Sequence, residues 1–189
     1  MKKAIKITAK VLLSTALLSS IIIPTSNQAR ADWKQDENGW WYDEGNGKYL
    51  ADGSWSIGGK VYRFDKRGYM VKGWYYDNGD RHERLKGWYY YDPVNGDEKR
   101  GWQNIDGKWY YLNGSALTGF QNLIDGKRYY FDPVNCDMKI GWTKVDGHQY
   151  YMDPNDGGAV ATNKVLLMNG VYYTFDWNGK LIKVELANK

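Results

Sequence analysis

Cysteine is nearly absent from this chain, and the single Cys136 excludes an internal disulfide, so noncovalent packing must hold the fold together. Histidine is almost as scarce. His82 stands in a charged stretch with Arg81, Glu83 and Arg84, and His148 follows a turn; neither has a nucleophile or a metal partner nearby in sequence. No catalytic residue, metal ligand or cofactor is therefore assigned, and the chain reads as a non-enzymatic protein. Leu, Ile and Val are sparse beyond residue 32, which excludes an ordinary aliphatic core. The longest apolar run, Val11 to Ile23, is interrupted by Ser14, Thr15, Ser19 and Ser20 and falls short of the roughly 20 residues a membrane span requires.

That run has another reading. Lys2, Lys3, Lys6 and Lys10 precede it, and Ala29-Arg30-Ala31 supplies the small residues of a cleavage site, so residues 1–31 are expected to be a secretory signal peptide. The mature chain would have no membrane span. Five of the 26 Lys and Arg lie in this segment with no acid, leaving 21 basic against 22 acidic residues and a net charge of −1 beyond it. There is no polybasic run to suggest nucleic acid as a partner.

What the remainder has in abundance is aromatic residues and glycine: all 10 Trp, 17 Tyr, 4 Phe and 22 Gly lie beyond residue 32. They are organised in a repeat. Its fullest copy is GWQNIDGKWYYLNGSALT, Gly101 to Thr118, in which two β-prone runs flank Asp106-Gly107. Asp-Gly between such runs signals a hairpin, because the favoured two-residue turn needs positive φ. Other copies enter at Gly53, Gly73, Gly87, Gly119, Gly141 and, degenerately, Asn163, with an earlier one at Trp33 that runs through Asn38-Gly39-Trp40-Trp41-Tyr42. The copies at Gly73 and Gly87 lack the Asp-Gly-Lys turn, so 73–100 is expected to bend the array, each copy giving a strand and a loop.

One hairpin buries too little surface to stand alone, so the copies must stack. The fold class expected is all-β, a β-hairpin repeat solenoid over residues 32–182 with a tail at 183–189. Alternation assigns faces, since residues two apart point the same way. Tyr62/Phe64, Tyr110/Leu112, Tyr129/Phe131, Tyr150/Met152 and Tyr173/Phe175 are apolar in every copy and form the expected interior. Val61, Trp109, Arg128, Gln149 and Tyr172 vary, as on an exposed surface. Cys136 takes a turn position that Gly96 holds elsewhere.

The pattern Gly-Trp, Asp-Gly-Lys, Trp-Tyr-Tyr, with a following Gly-Trp, resembles the choline-binding, or cell-wall-binding, repeats of Gram-positive surface proteins. It is also similar to repeats of glucan-binding proteins and clostridial toxins, above all at Tyr129-Tyr130-Phe131-Asp132-Pro133. The resemblance spans about residues 33–182. It implies a cage around a quaternary ammonium, made by the entry aromatic of a hairpin, the leading aromatic of its second strand and the entry aromatic of the next repeat. Such a group has no hydrogen-bond donor, so each well-placed ring contributes about 0.5–2 kcal/mol through its face. Carried over, the resemblance implies one cage of Trp33, Trp41 and Trp55 and another of Trp102, Trp109 and Phe120. Trp74 and Trp88, with Tyr76 or Tyr90, would line an irregular pocket, while Trp142 keeps its entry place beside Gln149. Entry tryptophans also have a purely structural use, wedging adjacent hairpins together.

The implied partner is choline-bearing teichoic acid or another cell-wall polymer, and the implied location is secreted and attached to the cell surface. The alternatives are a module for α-glucan or a host glycan, with rings stacked on sugar faces, and a surface adhesin or spacer.

Overall fold

The computed structural model describes residues 31–45, 47–80 and 86–187. Residues 1–30 of the expected signal peptide, the charged stretch with His82, and residues 188–189 lie outside it. Among the described residues no helix is long and apolar enough to cross a membrane.

Among the described residues, seven antiparallel hairpins follow one another. They are β1 (Asp32–Asp36) with β2 (Gly39–Gly45), β4 (Gly53–Ile57) with β5 (Lys60–Phe64), β6 (Gly73–Asp77) with β7 (Gly87–Tyr91), β8 (Gly101–Ile105) with β9 (Lys108–Asn113), β11 (Gly119–Asn122) with β12 (Arg128–Phe131), β13 (Gly141–Val145) with β14 (His148–Asp153), and β16 (Lys164–Met168) with β17 (Val171–Phe175). Short third strands extend some of them: β3 (Lys48–Tyr49), β10 (Ser115–Ala116) and β15 (Ala159–Val160). The two short sequence copies make a single hairpin together, one strand each, with Trp74 opposite Tyr90 and Tyr76 opposite Trp88. The ladder also runs past residue 182, because β18 (Leu181–Leu186) pairs with β17 and converts most of the expected tail into strand.

Local chemistry explains the regularity. Asp106-Gly107 and Asp146-Gly147 both adopt positive φ, at 52° and 78° and at 46° and 79°, the geometry that joins two twisted strands most tightly. The entry residues Gly73, Gly101, Gly119 and Gly141 lie between 68° and 81°, and Asn163 takes the same role at 46°, which is why an asparagine is the tolerated replacement there.

The core is divided among the junctions between hairpins. Ile105, Tyr110, Leu112, Ala116 and Cys136 form one cluster with Trp74 and Tyr90 against it. Tyr129, Phe131 and Ala159 form a second with Trp102 and Tyr111, and Tyr130, Tyr150, Met152 and Val160 a third with Phe120 and Val145. Tyr62 and Tyr173 are half-buried, but most positions expected inside are buried, Leu112, Phe64, Phe131 and Met152 to at most 1% exposure. Their alternate face, however, is not simply solvent. Tyr130 is buried and Trp102 packs on Tyr129 at 4.9 Å between ring centroids. Alternation in this fold separates the face turned to the preceding hairpin from the face turned to the following one, and both are partly covered.

Candidate aromatic cages at the hairpin junctions

In the β8–β9 hairpin, Trp102 lies opposite Tyr111 and Asn104 opposite Trp109, so Trp102, Trp109 and Tyr111 share the face turned to the following hairpin. Gln103 lies opposite Tyr110, on the other face. Tyr110 therefore reaches back to the preceding hairpin, where its ring centroid is 4.9 Å from that of Trp74. The same step recurs along the chain: Trp33 to Tyr62 at 4.9 Å, Trp102 to Tyr129 at 4.9 Å, Phe120 to Tyr150 at 4.7 Å and Trp142 to Tyr173 at 5.0 Å. Each of these five junctions thus joins an entry aromatic to the back-facing tyrosine of the next hairpin, while after the β4–β5 hairpin Ser54 holds the entry place. The leading residue of the second strand stands beside them.

At the β6–β7 junction these parts enclose space. Trp74 and Trp88 meet edge to face, 6.3 Å apart at 88°, and with Tyr110 they line a cavity of about 290 Å³ bordered by Lys108, Val134, Asn135 and Cys136. Trp88 remains 40% exposed, so its ring is open to a ligand. Trp102 and Trp109 repeat the edge-to-face pair at 6.2 Å and 84°, with Trp109 43% exposed. Trp33, Trp40 and Tyr62 line a wider cavity with Met70, Lys60 and Lys72 at its margin.

Burial raises the pKa of the Tyr110 hydroxyl above its ordinary 10.0, with Asp137 and Cys136 adding to the effect. Tyr129 is pushed up as well, first by burial and then by donating its hydroxyl proton to Asp125 Oδ2 at 2.7 Å. Both rings stay neutral at physiological pH. An uncharged ring in a partly dry junction attracts a cation through its face, a geometry suited to a diffuse cation without donors.

The residues grouped from the sequence are regrouped by this geometry. Trp102 and Trp109 come together, as do Trp74 and Trp88. Trp33, Trp41 and Trp55 do not. Trp33 pairs with Tyr42 and Gln35 with Trp40, which puts Trp40 beside Trp33 and turns Trp41, opposite Lys34, to the other side of the sheet. There Trp41 meets Tyr69 at 6.3 Å. Trp55 lies opposite Tyr62 on the back of its hairpin and packs on Phe64, while Ser54 holds the entry place. Phe120 belongs to the junction after its own hairpin, not to the cage of Trp102 and Trp109; Tyr129 takes that third place. Trp142 keeps its entry position, 43% exposed and opposite Tyr151, with Tyr173 of the next hairpin at 5.0 Å and Gln149 on the second strand. The alternation already contained Tyr62, Tyr110 and Tyr129. What it did not reveal was that the interior of one hairpin is a wall of its neighbour's site.

Among the described residues, no group of three or more His, Cys, Asp or Glu is arranged to hold a metal ion.

A β-hairpin array with aromatic pairs across five of its junctions is the architecture of a repeat-type binding module. The chain belongs to the choline-binding, or cell-wall-binding, repeat family: a choline-binding repeat matches residues 117–165 and a putative cell wall binding repeat matches residues 101–115. The structure is similar to that of CbpJ from Streptococcus pneumoniae TIGR4, with 35% identity and a TM-score of 0.68 over 81% of this chain and 48% of that one. It is likewise similar to choline binding protein F from Streptococcus pneumoniae, solved in the presence of a tetrasaccharide-pentapeptide peptidoglycan analogue, with 37% identity and a TM-score of 0.68 over 80% of this chain and 46% of that one. The modular autolysin LytC of the same organism matches at 26% identity and a TM-score of 0.57, over 83% of this chain and 34% of LytC. The chain thus spans just under half the length of the two choline-binding proteins. No match was found among curated protein sequences.

Proposed function

We propose that this protein attaches noncovalently to the Gram-positive cell envelope by holding the trimethylammonium groups of choline on teichoic acid. Three cages do the holding: Trp33, Trp40 and Tyr62; Trp74, Trp88 and Tyr110; and Trp102, Trp109 and Tyr129. The observation that carries this reading is the cavity at the β6–β7 junction, where two tryptophans at right angles and a neutral tyrosine face one space. A single cage supplies only a few cation–π contacts of about 0.5–2 kcal/mol each. A polymer carrying many cholines engages several cages at once, and the second contact benefits from the effective concentration set by the first. The protein acts by binding alone, after export directed by residues 1–31.

Titrating residues 32–189 with choline while following tryptophan fluorescence tests the reading. The signal is expected to change saturably, and Trp88→Ala and Trp109→Ala are each expected to weaken the response of their own cage by about 2- to 30-fold, the equivalent of one lost ring. Retention on α-glucan with no choline response would overturn the proposal in favour of a glycan-binding module. A choline response unchanged in both variants would overturn the assignment of the cages.

A further inference from the structure

The junction that follows the β11–β12 hairpin carries its own cation. Arg128 stands where Trp109 stands one hairpin earlier, and its guanidinium carbon lies 4.2 Å from the centroid of the Phe120 ring. One of its nitrogens, Nη1, donates to the carbonyl of Asn178 at 2.7 Å. The aromatic place is thus filled by the chain itself, and a trimethylammonium group entering it would meet a like charge.

Beside this arginine lies a cavity of about 460 Å³, floored by Ala159 and Val160 and distinct in character from the cages. Arg128, Lys127 and Lys164 reach it, against the single carboxylate of Asp156, an excess of two positive charges. Asp156 binds both lysines, Lys127 at 2.5 Å and Lys164 at 3.7 Å, and the bond from Lys127 is the first cause holding its carboxyl below the ordinary range. It stays ionised and holds the two ammonium groups in place. Trp177 also lines the cavity and is 77% exposed, presenting a flat apolar face to solvent, and Asn122 and Asn178 supply amides.

We propose that this cavity binds a phosphorylated sugar. Arg128, with guanidinium donors beyond the one given to Asn178, and the two lysines would take the phosphate. Trp177 would stack on the apolar face of the pyranose, and the asparagines would meet its hydroxyls. A bare anion leaves Trp177 unused; a neutral sugar leaves the charge uncompensated. The natural source we assign, a sugar phosphate unit of the same wall polymer, rests on the envelope-binding reading above, but the site's chemistry does not.

The test uses residues 32–189 saturated with choline, so that the cages are occupied, and titrates glucose 6-phosphate, glucose and inorganic phosphate by calorimetry with the Trp177 indole signal followed by NMR. Glucose 6-phosphate is expected to bind at least about tenfold more tightly than either component and to move the Trp177 signal. Trp177→Ala and Lys164→Gln are each expected to weaken it about 3- to 10-fold and leave the choline titration unchanged. Equal binding of inorganic phosphate would overturn the proposal as an unspecific anion effect, and equal binding of glucose would overturn its charge argument. Absence of binding, or binding indifferent to both variants, would overturn it outright. A lost choline response with sugar phosphate binding retained would overturn the cage assignment and support this site.

Discussion

A tryptophan in this chain acts according to the side of the strand on which it stands, and one residue of register decides that side. Asn38-Gly39 looks like the turn of the first hairpin, and counting from it makes Trp41 the counterpart of Trp109. The actual turn is Glu37-Asn38, because Asp36 pairs with Gly39 and the Asp36 carboxylate accepts the amides of Asn38 and Gly39 at 2.8 and 3.2 Å. A slip of one residue moves every side chain to the other face. Trp40→Ala is therefore expected to weaken the first cage's choline response about 2- to 30-fold, whereas Trp41→Ala leaves it nearly unchanged. Fluorescence titration of the two variants side by side checks this, and a larger effect from Trp41→Ala would restore the grouping suggested by sequence. Cys136 is a second case in which local environment decides. It adopts φ 63° at the turn place that Gly96 fills at 76°, and its buried thiol packs into the core, its pKa pushed up first by burial and then by Asp132 and Asp137.

At the level of the element, the hairpin was readable and the loop behind it less so. Alternation of Tyr110 with Leu112 and of Tyr129 with Phe131 located the buried face, since packing demands apolar residues there whatever the neighbour. Leu112→Ala is expected to cost about 2–5 kcal/mol, because Leu112 is 1% exposed between two hairpins that cannot collapse freely, and chemical denaturation would measure it. The loops after β7 and β12 repeat one design. Asp132 Oδ1 accepts the amides of Val134 and Asn135, both at 2.9 Å, and its Oδ2 meets Lys139 at 2.9 Å; Asp92 does the same with Val94, Asn95 and Lys99. The Asn135 amide first, then Lys139, hold the Asp132 carboxyl at about 2, below its ordinary 3.8. A depressed folded pKa means that the contribution to stability is complete above pH 3.8 and is lost as the pH falls toward 2. The melting temperature of the unaltered protein should fall across that window, and Asp132→Asn should lower it at neutral pH while flattening the decline. An equal decline in the variant would place the acid sensitivity elsewhere.

For the molecule as a whole, function is a property of the series. The three proposed cages follow the first, third and fourth hairpins, and the other junctions lack at least one aromatic wall: Ser54 and Val61 stand after the second hairpin, Arg128 after the fifth and Gln149 after the sixth. After the second hairpin, Arg63 turns to Asp77 and the Tyr75 hydroxyl at 3.1 and 2.7 Å, a polar latch in place of an aromatic cluster. Choline affinity should be flat from about pH 6 to 9, since Tyr110 and Tyr129 have pKa values raised above 10.0 and no charge appears on either ring below that. Above it, deprotonation would add negative charge facing a cation and strengthen binding, so titrations at several pH values should rise only at the alkaline end. A midpoint near neutrality would point to a group outside the cages.

Sequence by itself determined the class of fold and, apart from the first hairpin's register, most of the hairpin punctuation and buried faces, because turn φ angles and strand alternation are local constraints that each residue type either meets or fails. It also identified Trp102, Trp109, Trp74 and Trp88 as residues of interest, since an aromatic at a junction must either pack or bind. Tertiary structure alone decided which rings share a site. The ring that meets an entry tryptophan, such as Tyr110 or Tyr62, is contributed by the next hairpin, and no local rule within one repeat specifies how far that hairpin advances or which face it turns back. The same holds for Arg128, which reads as a lost aromatic along the strand and, in the folded chain, is a cation seated on Phe120 at the edge of a separate cavity.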